Sequence, residues 1–217
     1  MLLKSVNVAR PIEVQYRGSP IKTGIFKVAV SGPTQVGYCN LAGDGQADLA
    51  NHGGMHKAVY AYSLDHYAYW RALLKREEMV YGQFGENLTI AGLDESACCV
   101  GDQLQVGTAL FTITQPRVPC FKLGIRLGDE SVPKLFSLSA RTGFYLRVLR
   151  VGVIEAGDPV ERVARGQGRV AIKSLFEAYM RRGSKDATQI LSRALEVPEL
   201  SPEWRAQIEK RMERGRD

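Results

Sequence analysis

The chain has 217 residues, 45% of them hydrophobic and 24% charged, which is typical of a soluble globular protein with one core and an appendage, or with two small domains. The net charge of +6 does not indicate nucleic-acid binding, because most of the excess lies beyond residue 160, where acidic residues are interspersed. No apolar run approaches the roughly 20 residues that span a bilayer, and the N-terminus lacks a signal-peptide core, so we expect a cytoplasmic protein with no membrane partner.

The four cysteines, at positions 39, 98, 99 and 120, form no CxxC pair and do not indicate a disulfide scaffold. The first three quarters of the chain predict short strands, and Gly107-Thr108 suits a two-residue hairpin turn of type II′. One helix is predicted from Ser63 to about Glu77, and a shorter one at 132–137. Many short strands with glycine-rich turns favour a barrel or a sandwich. The strands are predicted at 2–9, 24–30, 57–62, 103–106, 110–114, 145–153 and 160–163.

The pattern becomes helical after Arg165-Gly166-Gln167-Gly168. Apolar residues then recur at helical spacing, and Ser184 and Ser201-Pro202 are typical helix starts. The sequence therefore predicts a mainly β domain at 1–164, followed by a small three-helix bundle at 165–217.

A glycine-rich segment, Asn51-His52-Gly53-Gly54-Met55-His56-Lys57, precedes one predicted strand. The two histidines are four residues apart, the spacing of zinc ligands on a helix, but Gly53-Gly54 disfavours a helix there. The segment is better interpreted as a loop whose backbone N–H groups approach an anion, with Lys57 adding a charge. The alternative is a plain turn with structural histidines.

The segment Gln115-Pro116-Arg117-Val118-Pro119-Cys120 follows a clear strand. Its two prolines stiffen the chain, so we expect Cys120 at a rigid loop tip. Arg117 is a permanent cation that favours a thiolate nearby, and a thiolate is both the nucleophilic and the metal-binding form of cysteine. The alternative is a half-buried structural cysteine.

A third segment, Phe84-Gly85-Glu86-Asn87-Leu88-Thr89, supplies neutral hydrogen-bonding groups at Asn87 and Thr89. No GxGxxG, P-loop or GxSxG pattern occurs, which disfavours nucleotide cofactors bound by those motifs.

Together these segments resemble the MOSC domain, named for the C-terminal domain of molybdenum cofactor sulfurase. The resemblance includes Gly43-Asp44, the loop through Lys57-Ala58, the helix His66-Tyr67-Ala68-Tyr69-Trp70, the Asn87 segment, Gly101-Asp102 and 115–123, in matching order and spacing. The C-terminal helices narrow it to the YiiM-like branch.

The resemblance implies a mainly β, MOSC-type β-barrel that binds the molybdenum cofactor, a pterin with a dithiolene and a phosphate. It implies Cys120 as molybdenum ligand and catalytic residue. It further implies that the pterin and its phosphate are held by His52, Gly53, Gly54, His56, Lys57, Asn87, Thr89, Arg117 and Pro119.

Relatives of this branch reduce N-hydroxylated compounds, including purine base analogues, to amines, which is a detoxification. The chain has no flavin or iron–sulfur signature, so the resemblance implies an external electron-transfer reductase as partner, and a homodimer is a further expected assembly. Two alternatives remain. In one, Cys120 carries a persulfide for cofactor maturation; a pyridoxal-phosphate sulfurase domain is absent, so the sulfur would come from outside. In the other, the domain is a binding module without catalysis.

Overall fold

Residues 1–47, 53–181 and 184–213 are described by a computed structural model, in which a large sheet is flanked by helices. The strands are β1 Leu2–Val8, β2 Ile12–Tyr16, β3 Ser19–Thr23, β4 Val28–Val30, β5 Thr34–Val36, β6 Val59–Ser63, β7 Leu88–Ala91, β8 Gln103–Val106, β9 Ala109–Pro116, β10 Phe144–Arg150, β11 Gly152–Ile154 and β12 Val160–Ala164. The helices are α1 His66–Leu73, α2 Phe121–Leu127, α3 Val132–Ser139, α4 Ile172–Met180, α5 Lys185–Leu195 and α6 Pro202–Glu213. None of these helices is both long enough and apolar enough to cross a membrane.

The main sheet has eight strands in the order β12-β8-β9-β10-β6-β7-β1-β4. Among the strands of the described ranges, only β6 and β7 pair in parallel, and α1 lies in the crossover between them. The mainly β fold with C-terminal helices is confirmed, but the described strands do not close a barrel. An isolated bridge between Leu2 and Pro159 brings the start of β12 to β1, while the hydrogen-bonded ladder leaves β12 and β4 as edges.

Local chemistry shifts several predicted boundaries. Lys57 lies in a 3-10 turn, Met55–Lys57, so β6 begins only at Val59. Helix α1 ends at Leu73 because Lys75 adopts a positive φ of 50°, which stops the helical run. The turn at Gly107-Thr108 joins β8 to β9 as predicted, with a φ of 50° at Gly107.

The C-terminal helices share their hydrophobic core with the sheet. Leu104 and Phe111 of the sheet belong to the same buried cluster as Leu175 of α4 and Trp204 of α6. Each of these helices is too short to be stable alone, so burial against the sheet is what holds it. The division at 164/165 remains a prediction.

A second cluster is largely aromatic and packs α1, α2 and α3 on the other side of β6. Trp70 stacks on Phe136 at 5.3 Å between ring centroids and donates a hydrogen bond of 2.7 Å to the hydroxyl of Tyr62. This cluster includes Tyr60, which also lines a cavity beside β6, at the candidate functional site.

Candidate functional site

A cavity opens between the loop before β4, the start of β6 and the loop that joins β9 to α2. Its volume is about 710 Å³ when the open mouth is included. Among the described residues of its wall, four side chains are basic and one is a carboxylate, which favours an anionic ligand. The polar and charged residues of the wall include Lys27, Lys57, Arg117, Lys122, Asp44, Asn87, Tyr60, Tyr145 and Cys120.

Arg117 is the most deeply placed cation of this wall, with 5% of its surface exposed. Its guanidinium lies 4.8 Å from the ring centroid of Tyr60 and 5.4 Å from that of Phe136, and Nη1 donates to the Tyr60 hydroxyl at 3.3 Å. Burial disfavours its charge, but attraction to Tyr60, Tyr145 and Cys120, which acts when these groups are ionised, outweighs burial and raises the pKa of Arg117. No carboxylate in the described part of the chain pairs with it. Since a buried charge normally has a counterion, Arg117 marks a place for an anion.

The two tyrosines beside Arg117 contribute no negative charge. Burial raises the pKa of Tyr60 well above its usual value, although Arg117 opposes the shift, and the Tyr60 hydroxyl donates to the carbonyl of Thr142 at 2.7 Å. The pKa of Tyr145 is raised for the same reason. Both hydroxyls are therefore neutral at physiological pH, and the cavity keeps its cationic character.

Cys120 lies where the rigid loop ends and α2 begins. Strand β9 ends at Pro116, and Cys120 itself has extended backbone angles and a half-buried side chain that lines the cavity. Pro119 belongs to the loop but does not line the cavity. The structure thus brings Cys120 and Arg117 together on one wall, as the spacing of the motif predicts. All four cysteines lie in the described ranges, and no disulfide joins them.

Lys57 reaches the cavity because the 3-10 turn before β6 carries it. Gly54 starts this turn with a φ of 87°, a conformation that glycine adopts without cost, and its N–H donates to Gln46 Oε1 at 2.8 Å. Gln46 Nε2 in turn donates to the carbonyl of Cys39 at 2.8 Å. The buried Lys57 side chain forms an ion pair with Glu203 of α6. The glycine-rich loop therefore acts by placing Lys57.

The other predicted binding residues of this loop are His52, Gly53 and His56, and the structure shows none of them on the cavity wall. His52 lies outside the described residues. Gly53 and His56 are described but do not line the cavity. Burial lowers the pKa of His56, with a further contribution from Arg147, and its buried Nδ1 has no hydrogen-bond partner in the structure. A neutral imidazole is the expected state of His56.

Asn87 lines the cavity with its amide already engaged. Its Oδ1 accepts from the N–H of Tyr60 at 3.0 Å, and its Nδ2 donates to Asp44 Oδ2 at 2.8 Å. Asp44 Oδ1 forms a salt bridge of 2.5 Å with Lys27, whose pKa is lowered by burial and raised in part by Asp44. Asn87 therefore fixes an ion pair of the wall. The sequence assigns no role to Lys27, and Asp44 enters only as part of the segment Gly43-Asp44 in the family resemblance.

Thr89 lies behind the cavity, fully buried. Its hydroxyl donates to Glu86 Oε1 at 2.9 Å and accepts from Asn7 Nδ2 at 3.0 Å. Glu86 is also buried, and desolvation raises its pKa although Tyr67, Thr89 and the N–H of Gly82 donate to it. The structure therefore does not bring Thr89 to the cavity wall, and places it in the network that holds the Asn87 segment.

The chemistry available at this site is anion binding next to a thiol. Within the described ranges, no three His, Cys, Asp or Glu side chains are grouped as a metal site. Cys120 is the one soft donor among the described lining residues. A metal here would need most of its ligands from another molecule.

The chain belongs to the MOSC domain family. Residues 48–161 match the MOSC domain, and residues 181–215 match the YiiM-like, 3-alpha helix domain. MOSC domains are associated with binding of the molybdenum cofactor.

Three relatives show how far the similarity extends. The chain is 37% identical over 210 residues to the uncharacterized protein YflK of Bacillus subtilis (strain 168), covering 97% of this chain and 94% of that protein. The crystal structure of YiiM from Geobacillus stearothermophilus superposes with a TM-score of 0.81 at 33% identity, covering 97% of this chain and 98% of that one. A protein of Gibberella moniliformis (strain M3125 / FGSC 7600) named reductase is 34% identical over 151 residues, covering 68% of this chain and 27% of that protein. These relationships support a MOSC-type function.

Proposed function

We propose that this chain is a molybdenum-cofactor-dependent reductase that converts N-hydroxylated compounds, such as N-hydroxylated purine base analogues, to amines. The observation that carries the proposal is the buried guanidinium of Arg117, which has no carboxylate counterion in the described residues and lines the same cavity as Cys120. An oxidoreductase role agrees with the name of the relative from Gibberella moniliformis, reductase.

The residues of the cavity fit this cofactor. Its phosphate is an anion, for which Arg117, Lys57 and Lys122 offer charge-assisted hydrogen bonds. Cys120, the one soft donor among the described residues of the wall, would be the protein ligand that holds the metal of the cofactor.

The reaction is R–NHOH + 2 e⁻ + 2 H⁺ → R–NH₂ + H₂O, in which the N–O bond breaks and the oxygen leaves as water. The molybdenum cofactor, when bound, would supply the two-electron redox chemistry of this reaction. The protein binds the anionic part of the cofactor through its cations, holds the thiolate at the end of a rigid loop, and keeps neutral tyrosines beside Arg117. The electrons come from an external electron-transfer reductase.

The other predicted cofactor-binding residues act indirectly in this proposal, or their contact with the cofactor is untested. Gly54 acts by placing Lys57, and Asn87 by fixing the Lys27–Asp44 pair. Thr89 supports the Asn87 segment from behind. Contact of His52, Gly53, His56 or Pro119 with the cofactor stays a prediction.

The test uses full-length protein from a host that makes the cofactor. Given reduced viologen as electron donor, it should convert an N-hydroxylated purine to its amine over many turnovers, while cyanide-releasable sulfur stays near background. If the protein instead carries labile sulfur on Cys120 and turns over no substrate, the sulfur-carrier function replaces this one.

A further inference from the structure

Besides Asp44 of the wall, an acid from the C-terminal helices also contacts the candidate site. Glu203 lies in the first turn of α6, and its Oε2 forms an ion pair with Nζ of Lys57. Lys57 lines the cavity, and 7% of its side chain is exposed, against 42% of the Glu203 side chain. The charge of Glu203 is also among those that raise the pKa of Tyr145, after burial as the main cause. The segment that the sequence predicts as a small three-helix bundle therefore supplies a charge to the site.

Glu203 is held in place by its own helix and by the sheet. The N–H of Ser201 donates to the carbonyl of Thr114 in β9 at 3.4 Å, and Ser201 Oγ accepts from the N–H of Trp204 at 3.2 Å. Gln207 Nε2 donates to Glu203 Oε1 at 3.1 Å. Trp204 is fully buried and fixes the rotation of α6. The carboxylate is therefore presented to Lys57 by a packed helix rather than by a loose tail.

The ion pairs Lys27–Asp44 and Lys57–Glu203 differ in how readily they can open. Lys27 and Asp44 are both buried, with side-chain exposures of 9% and 4%, so separating them would leave two desolvated charges. Glu203 is much more exposed than Asp44, and its carboxylate can turn to water at a smaller cost. An incoming anion would therefore replace Glu203 and leave Asp44 in place.

We propose that Glu203 is a specificity-determining residue of the site: its carboxylate is an internal anion that a ligand must displace from Lys57 in order to bind there. The inference rests on the proposed function, in that the cavity takes an anionic cofactor. An anion that only takes over Lys57 exchanges one ion pair for another and gains little. An anion that also reaches Arg117 gains a contact that no described carboxylate offers, so Glu203 favours extended anionic ligands over small ones.

The test measures binding of inorganic phosphate, a small anion, to cofactor-free full-length protein by titration calorimetry. Glu203→Gln keeps the size of the side chain and its hydrogen bond to Gln207 but removes the competing charge. We expect phosphate to bind roughly tenfold more tightly than to the unchanged protein. The matched control is Glu209→Gln, which removes one exposed carboxylate from the same helix and should change the affinity less than about twofold.

A second pair of proteins tests whether the effect passes through Lys57. In a Lys57→Met background, Glu203→Gln should no longer raise phosphate affinity. The inference is overturned if Glu203→Gln leaves phosphate binding unchanged or weaker, if no variant binds phosphate, or if the gain persists without Lys57. Molybdenum and pterin content, measured on the same variants from a cofactor-producing host, tests the proposed function separately from the role of Glu203. Protein without molybdenum but with the phosphate response would refute the cofactor and retain the role of Glu203.

Discussion

Arg117 carries more of the functional argument than any other side chain, because it is both buried and permanently charged. Its contacts with the rings of Tyr60 and Phe136 compensate part of the cost of burying that charge. They leave the guanidinium available to an anion in the cavity. Cys120, on the same wall, adds a thiol to the anion site and thereby a soft metal donor.

Arg117→Met should lower molybdenum occupancy much more than it lowers stability. A charge-assisted hydrogen bond contributes about 1.5–3 kcal/mol, which corresponds to a loss of affinity of roughly 10- to 100-fold. Loss of the aromatic contacts is offset by removal of a buried charge, so thermal melting should change little. Elemental analysis and melting of the same preparation provide the measurement. The exposed Arg10→Met is the control, and full occupancy in the Arg117 variant would show that the cavity is misplaced.

Cys120→Ser should abolish reduction of an N-hydroxylated purine while the protein stays folded. A hydroxyl is a poor replacement for a soft thiolate ligand, and the change in volume is small. Cys39→Ser, at an exposed position, should keep most activity. Cys98 should behave like Cys39 in the activity assay, because burial raises the pKa of its thiol to about 12 and keeps it protonated. Wild-type activity in Cys120→Ser would contradict the proposed function.

The 3-10 turn Met55–Lys57 is the element that connects the glycine-rich loop with the cavity. Its position depends on the positive φ of Gly54 and on the hydrogen bond from Gly54 to Gln46. A turn of three residues has little stability of its own, so a backbone change at Gly54 is transmitted directly to Lys57.

Gly54→Ala should therefore reduce both stability and cofactor content. A side chain in this backbone region costs about 1–3 kcal/mol, even though no atom of the described residues lies within 4 Å of the added Cβ. Gly18→Ala is a matched control, because Gly18 also has a positive φ and open surroundings but lies in the turn between β2 and β3. Both variants should lose stability in urea unfolding. Only Gly54→Ala should lose molybdenum, and equal occupancy in the two would show that the turn does not place Lys57 for binding.

Considered as one body, the chain buries its C-terminal helices and its sheet in a single hydrophobic cluster. Helix α4 packs against β9, and Ser201 at the start of α6 is hydrogen-bonded to Thr114 of the same strand. The helices are consequently part of the structure that positions Lys57 through Glu203. A homodimer and the docking of an external electron-transfer reductase remain predictions about surfaces.

Trp204→Ala should destabilise the sheet together with the helices. Truncation of a fully buried tryptophan costs about 3–5 kcal/mol, and the shared core predicts one cooperative unfolding transition shifted to lower denaturant. Leu138→Ala, at a position with 74% exposure, should change the free energy of unfolding by less than about 0.5 kcal/mol. Two separate transitions, with only one affected by Trp204→Ala, would show that residues 165–217 fold independently.

Local patterns were sufficient to predict most strands and all three C-terminal helices, because periodicity and capping depend on neighbours in sequence. They failed where a short element is defined by its packing. Helix α2 directly follows Cys120 and was not predicted, since Pro119 and Gly124 obscure its pattern. The hairpin of β2 and β3 was also missed, because most of its residues are at least partly exposed and one of them is Pro20.

For the site, the sequence indicated Cys120, Arg117, Lys57 and Asn87, and the structure places all four on one cavity wall. The sequence was sufficient to indicate them, because the type of each side chain and its position in a rigid or glycine-rich loop can both be read from neighbouring residues. The roles of Asp44, Tyr60, Tyr145 and Glu203 required the tertiary structure, because each depends on a partner far away in sequence. The remaining features of the site depend on burial. Thr89 is buried behind the cavity wall, and the buried Arg117 has no carboxylate partner among the described residues. Neither burial nor a missing counterion can be read from the order of residues alone.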